Sequence, residues 1–183
     1  MDRETELSVV AGLREGDARS FDAVYDAYAA RLLTFLTRLS RRRELAEELA
    51  EETWLRLVAN SARLQPETRL GPWLFAVARN LYCSACRSRL VEDAYAASLI
   101  GLWPAGTTTP TPFEETSANE LQRRIERALT LLPPPQREIL LLVGVEGFTT
   151  AEAAAICGIS AEAVRQRLSR ARAHVARTIG EIT

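Results

Sequence analysis

Between Thr149 and Ser160 the chain carries two helix starts and one helix stop, and this punctuation limits the local fold more than any other stretch. Thr149 followed by Glu152 fits a capping box, in which the hydroxyl and the carboxylate each satisfy a backbone N–H left unpaired at a helix start. The spacing predicts a short helix over Thr150 to Ile156. Cys157, Gly158, Ile159 and Ser160 then form a turn, with Gly158 free to take positive φ and Ser160 placed to cap the next helix. The product is helix, four-residue turn, helix.

In the helix that follows, Val164, Leu168, Ala171 and Val175 fall within about 60° of one another at 100° per residue, which makes them the buried seam. Opposite lie Glu162, Gln166, Ser169 and Ala173, flanked by Arg165 and Arg172 on one edge and by Arg167 and Arg170 on the other. A DNA major groove admits one helix, whose polar groups meet base edges while arginines reach phosphates or guanines. This face has that chemistry.

The rest of the chain also reads as helix. Phe21, Val24, Tyr25, Tyr28, Leu32, Phe35, Leu36 and Leu39 recur at three- and four-residue spacing. A second run sets Leu45, Leu49, Leu55 and Val58, with Trp54, against an acidic face of Glu44, Glu47, Glu48, Glu51 and Glu52. Ser61 to Pro72 reads as a loop, and a third helix is expected over about Trp73 to Arg89, basic on its open side. Further helices are expected over Leu121 to Leu132 and Gln136 to Val145, ended by Gly147. Between the two groups, Gly101 to Pro112 is rich in Gly, Pro and Thr and runs into Glu114 and Glu115, a composition suited to a flexible acidic linker. The expected fold is all-α, two small helical domains joined by that linker.

The net charge of −1 conceals a pattern along the chain. Residues 1–60, 61–89, 90–118 and 119–183 carry −3, +4, −4 and +2 in turn, so two basic regions flank an acidic one. Every basic residue among the 23 is Arg, which a GC-rich genome explains and which also suits phosphate and guanine recognition. Three cysteines make no disulfide framework, no charged-then-apolar leader opens the chain, and the apolar run Leu129 to Val145 is broken by Pro133 to Pro135, Arg137 and Glu138. A cytoplasmic protein without membrane insertion is the expectation. Cys83 and Cys86 have metal-ligand spacing, but with the single histidine at His174 they complete no tetrahedral site, so small buried residues are the reading and no metal or cofactor is expected. No phosphate-cradling glycine loop or nucleophile elbow is present, which argues against an enzyme.

These residues resemble a known family. Leu132-Pro-Pro-Pro-Gln-Arg-Glu138, Glu146-Gly-Phe-Thr-Thr-Ala-Glu152 and Ala163-Val-Arg-Gln-Arg-Leu-Ser-Arg-Ala-Arg172 look like the fourth conserved region of extracytoplasmic-function sigma factors. Ala46-Glu-Glu-Leu-Ala-Glu-Glu-Thr-Trp-Leu-Arg-Leu57 and Pro72-Trp-Leu-Phe-Ala-Val-Ala-Arg-Asn-Leu81 are similar to its second conserved region. The resemblance covers about Ser20 to Ile179 and implies a region 2 domain over 1–95, a linker over 96–118 and a region 4 domain over 119–183.

It further implies an alternative sigma factor that binds core RNA polymerase and directs promoter recognition, minus-ten melting and initiation. Glu47, Glu48, Glu51 and Glu52 would dock on the clamp helices of the largest polymerase subunit. The loop Ser61 to Gly71 would hold the minus-ten element, where extruding a base costs a few kcal/mol, with Trp73, Arg79, Asn80 and Arg87 nearby. Glu162, Arg165, Gln166, Ser169, Arg170 and Arg172 would read the minus-35 element. The family commonly has Asp four residues after the Asn matched by Asn80, where this chain has Ser84. An anti-sigma factor is the expected regulator. A free-standing helix-turn-helix regulator and a sigma-like decoy for an anti-sigma factor remain alternative readings; binding to core polymerase separates the first, and initiation the second.

Overall fold

The computed structural model describes residues 1–100 and 120–180, with side chains over 1–89 and 123–178. Local capping sets the first helices. Asp2 accepts hydrogen bonds from the Thr5 amide (3.0 Å) and hydroxyl (2.8 Å) and starts α1, Arg3–Glu15, a helix the sequence reading did not anticipate. Gly16, at φ 79°, ends it. Asp17 caps α2, Ala18–Ser40, by accepting from the Ser20 amide and hydroxyl at 3.1 and 2.7 Å. Gly12 lets the two helices meet here, because a Cβ at that position would lie 2.1 Å from Ser20 Oγ.

After α2 come α3, Arg43–Asn60, a single 3₁₀ turn, Ser61–Arg63, and α4, Leu70–Ile100. The buried carboxylate of Glu6, on α1, accepts from the Leu70 amide at 2.8 Å and so caps α4 from a different helix. α4 departs from expectation at both ends. It starts two residues before Pro72, which still lies in the first turn where its missing N–H costs nothing. It also runs on past Arg89 to Ile100, so residues 96–100, expected at the head of the linker, complete a helix. The remainder of the expected linker, 101–118, lies outside the described residues.

The second half comprises α5, Glu120–Leu131, α6, Pro134–Leu140, α7, Thr150–Cys157, and α8, Ala161–Gly180. A π-helical turn, Leu141–Val145, follows α6, and Gly147 at φ 77° reverses the chain. Arg137 is buried and ties the connections together, donating to the carbonyls of Leu129 (2.9 Å), Thr130 (3.0 Å) and Leu132 (2.9 Å) around the end of α5. Burial lowers its pKa. No strand occurs among the described residues, and no helix among them is long and apolar enough to cross a membrane.

The two halves share one hydrophobic core. Phe35 of α2 meets Phe75 of α4 at 5.1 Å between ring centres, and Phe75 meets Phe148, just ahead of α7, edge-on at 5.0 Å. Gly71 permits this approach, since a Cβ there would press on Tyr28 and Phe148 at 3.3 to 3.4 Å. Polar contacts surround the aromatic centre. Arg31 pairs with Glu146 (3.0 Å), Arg38 with Glu126, Arg69 with Glu152 (3.4 Å) and Arg79 with Glu138 (2.9 Å), while Arg137 also donates to the Leu39 carbonyl of α2 at 3.3 Å.

Candidate nucleic-acid interface and acidic groove

α7 and α8 form the expected helix-turn-helix. The Thr149 hydroxyl accepts from the Glu152 amide at 3.2 Å and the Glu152 carboxylate accepts from the Thr149 amide at 2.9 Å, closing the capping box. Gly158 takes φ 64°, and Ser160 caps α8 by accepting from the Ala163 amide at 3.1 Å. Val164, Leu168 and Ala171 are buried, with Val175 half-buried on the same stripe. The seam therefore fixes which face of α8 points outward.

That outward face contains Glu162, Arg165, Gln166, Ser169, Arg170 and Arg172, all exposed. Within it, Arg165 donates to the Glu162 carboxylate through two nitrogens, and Gln166 donates to the other oxygen at 3.3 Å. The hydrogen bond and charge of Arg165 lower the Glu162 pKa, so this residue is a carboxylate able to accept from a base amino group. The pair also holds the Arg165 fork over the first turn of the helix.

On α4 the four expected residues have unequal surroundings. Asn80 and Arg87 are exposed, Arg87 donating to the Ser84 hydroxyl at 3.2 Å. Trp73 is half-buried against the core. Arg79 is not open to solvent as expected of a basic face: its side chain is 23% exposed and donates through Nε to Glu138 of α6 at 2.9 Å. Burial works against the Arg79 charge, and the Glu138 hydrogen bond and charge outweigh it, raising the guanidinium pKa. The acceptor lies 59 residues away, which is why the sequence did not disclose the pairing.

Along α3, Glu47, Glu48 and Glu51 are exposed and Glu52 is half-exposed. Arg43 donates to Glu47, and Arg56 to Glu52, each at 2.9 Å. Beside these carboxylates an open apolar groove of about 500 Å³ runs between α2 and α3, lined by Phe21, Tyr25, Leu33, Trp54, Leu55 and Val58 with Glu47 and Glu51. Tyr25 and Trp54 meet at 5.0 Å. Leu55 and Val58, expected in the buried run, are 59% and 57% exposed. The buried stripe of α3 is Leu45, Ala46, Leu49, Ala50, Thr53 and Leu57, and Leu55 lies about 160° from its centre at 100° per residue. A wheel drawn over the whole helix would have separated the two faces and revealed the groove.

Cys83 and Cys86 are half-buried rather than buried, and Cys157 is buried. Burial raises the Cys83 pKa and pushes Cys157 up to about 12, which keeps both as thiols at neutral pH. No group of three or more His, Cys, Asp or Glu suited to a metal ion occurs among the described residues.

Comparison with known proteins follows the same division. The family described as Sigma-70 region 2 matches residues 24–91, and that described as Sigma-70, region 4 matches residues 122–175. The ECF RNA polymerase sigma factor EcfG of Rhodopseudomonas palustris is 41% identical over 146 residues, covering 77% of this chain and 75% of that protein. The RNA polymerase sigma factor CarQ of Myxococcus xanthus is 33% identical, covering 92% and 94%. Among solved structures, the sigma factor RpoE in complex with the anti-sigma factor NepR from Bartonella quintana superimposes with a TM-score of 0.69 at 28% identity, over 88% of this chain and 95% of that one.

Proposed function

Because the chain belongs to the extracytoplasmic-function sigma factors of RNA polymerase, we propose that it binds core RNA polymerase and directs promoter recognition, minus-ten melting and initiation. It is a transcription initiation factor, and its own part in the reaction is recognition and DNA opening rather than bond chemistry. The observation that carries the reading is the pairing of two surfaces on one chain: a solvent-facing arginine and amide face on α8, and an acid-edged aromatic groove on α2 and α3.

Each surface has a role suited to its chemistry. The α8 face enters the major groove of the minus-35 duplex, with Arg165, Arg170 and Arg172 supplying forked donors, Gln166 and Ser169 reading polar base edges, and Glu162 accepting from a cytosine amino group. The α3 carboxylates Glu47, Glu48, Glu51 and Glu52 meet basic residues of the polymerase clamp helices, while Trp54, Leu55 and Val58 supply apolar area at the same contact. The turn and loop between α3 and α4 hold the displaced minus-ten strand, with Trp73, Arg79, Asn80 and Arg87 along α4. The division of labour follows 1–100, 101–118 and 119–183 as region 2, linker and region 4. An anti-sigma factor is the expected regulator, as for the Bartonella relative solved with NepR. The working compartment is the cytoplasm, where promoter and polymerase meet.

Promoter-specific initiation with purified chain and core polymerase tests this, with transcript starts mapped by sequencing. New starts that share two spaced upstream elements are expected. Core binding without initiation would instead indicate a decoy, and absence of core binding a free-standing regulator.

A further inference from the structure

The turn that leads into α4 is shaped from another helix. Gln65 to Arg69 run between two buried leucines, Leu64 and Leu70. The Thr68 amide donates to the Gln65 carbonyl at 3.0 Å and closes a turn, with Pro66 where its fixed φ suits. Arg3 of α1 reaches this turn through two nitrogens, one donating to the Glu67 carbonyl and the other to the Glu6 carboxylate, each at 2.8 Å. Glu6 accepts from the Leu70 amide at 2.8 Å and meets Arg69 Nε at 3.2 Å, its side chain only 7% exposed. Two residues of α1 therefore fix the apex of the turn, the arginine that follows it and the helix start beyond. Water would satisfy the exposed Glu67 carbonyl equally well, so what the Arg3 guanidinium adds is a set conformation.

We propose that α1, which precedes the region 2 match beginning at residue 24, is a positioning element for minus-ten recognition: through Arg3 and Glu6 it holds the turn over 65–68 ready to receive an extruded base. The inference rests on the reading of the loop between α3 and α4 as the holder of the minus-ten strand. Extrusion gives up the pairing and stacking of the base, and contacts in the receiving pocket must return that free energy. A turn that had to order itself on contact would lose backbone freedom at the same moment and bind more weakly.

Substitutions on α1 test this without touching the loop. Arg3→Ala releases Glu67 by trimming a side chain that is 43% exposed, and Glu6→Gln keeps an oxygen for the Leu70 amide while weakening the hold on both arginines. Arg14→Ala removes the same charge as Arg3→Ala from the last turn of α1, about 16 Å along the helix, and serves as the control. Each chain is assembled with core polymerase and titrated, by fluorescence anisotropy, onto a labelled fork-junction DNA whose unpaired strand carries the mapped minus-ten element. The same titration is made on copies with one base at a time removed to leave an abasic sugar. Circular dichroism melts of the full chain report folding.

With the wild type, removal of a captured base should weaken binding about tenfold. In Arg3→Ala and Glu6→Gln that penalty should fall to about threefold or less, while the abasic copy binds as tightly as it does to the wild type. Arg14→Ala should keep the wild-type penalty. A merely structural role would lower the melting temperature and weaken every DNA alike. That result, or the wild-type penalty in both folded variants, would overturn the positioning role. A wild-type holoenzyme indifferent to every abasic substitution would instead overturn the reading of the loop, and the inference with it.

Discussion

Arg31 grips Glu146 at two points, its Nε donating to the side-chain carboxylate and a terminal nitrogen to the backbone carbonyl, both at 3.0 Å. The guanidinium also lies 5.4 Å from the centre of the Tyr28 ring, so this contact combines ion pair, hydrogen bond and cation-π character. The Glu146 side chain is only 5% exposed, whereas that of Arg31 remains 44% exposed.

This asymmetry gives a pH dependence of definite sign. Burial raises the Glu146 pKa above its ordinary 4.5, and the opposing charge and hydrogen bond of Arg31 do not cancel it. The folded chain therefore holds the Glu146 proton more tightly than the unfolded one. The corresponding stabilisation is complete below 4.5 and is lost as pH rises through the raised value. Urea denaturation between pH 4 and 7 should show the wild type losing ground to Glu146→Gln as pH rises. The opposite trend would mean that Arg31 outweighs burial.

Arg137 should be the most costly single polar residue of the second half. It is 5% exposed and donates to the carbonyls of Leu129, Thr130 and Leu132 as well as to that of Leu39 on α2. Arg137→Met keeps most of the volume but leaves those acceptors without this donor. Buried acceptors without partners cost about 1 to 3 kcal/mol each, so a total loss of about 3 kcal/mol is expected after partial relaxation. Differential scanning calorimetry should show the melting temperature falling by roughly 6 to 12 °C. A change below about 1 kcal/mol would mean that water replaces the guanidinium freely.

What the sequence disclosed was local, and what it withheld was long-range. Thr149, Glu152, Gly158 and Ser160 set the helix-turn-helix through bonds spanning three to five residues, and the seam of α8 then fixed its outward face. Glu6, by contrast, caps α4 across 64 residues, and Glu138 reaches Arg79 across 59, so neither pairing leaves a periodic trace. α1 leaves little periodic trace although Asp2 and Gly16 are ordinary boundary residues, because no long apolar run connects them. The full length of α4 is not legible because its basic stretch ends at Arg89, where the chemistry changes but the helix continues.

On α8, Arg165→Ala together with Arg170→Ala should abolish minus-35-dependent promoter binding while core polymerase binding persists. Each bidentate arginine contact to a guanine is worth about 1 to 3 kcal/mol of discrimination, so the pair accounts for a loss of at least about 2 kcal/mol, roughly thirtyfold, in promoter selectivity. Both residues are exposed, and the core seam of Val164, Leu168 and Ala171 is untouched, so the fold should be unaffected. Footprinting with reconstituted holoenzyme on a promoter with and without its upstream element provides the measurement. Unchanged selection would place the recognition face elsewhere.

The groove between α2 and α3 separates binding from stability in a single substitution. Leu55 is 59% exposed and lies away from the buried stripe of α3, so Leu55→Asp should change stability by no more than about 0.5 kcal/mol. At an interface the same change would bury an unpaired carboxylate among apolar groups, beside Glu51 of the same groove, where its charge would be repelled as well as desolvated. A loss of about 2 kcal/mol or more in core polymerase binding is expected, roughly a thirtyfold weakening. Neutralising Glu51 alone, as Glu51→Gln, should cost less and mainly slow association, since an exposed charge steers the encounter more than it holds the complex. Titration of labelled core polymerase at two salt concentrations distinguishes the two effects. If Leu55→Asp binds core polymerase as the wild type does, the contact lies outside the groove and rests on the α3 carboxylates alone.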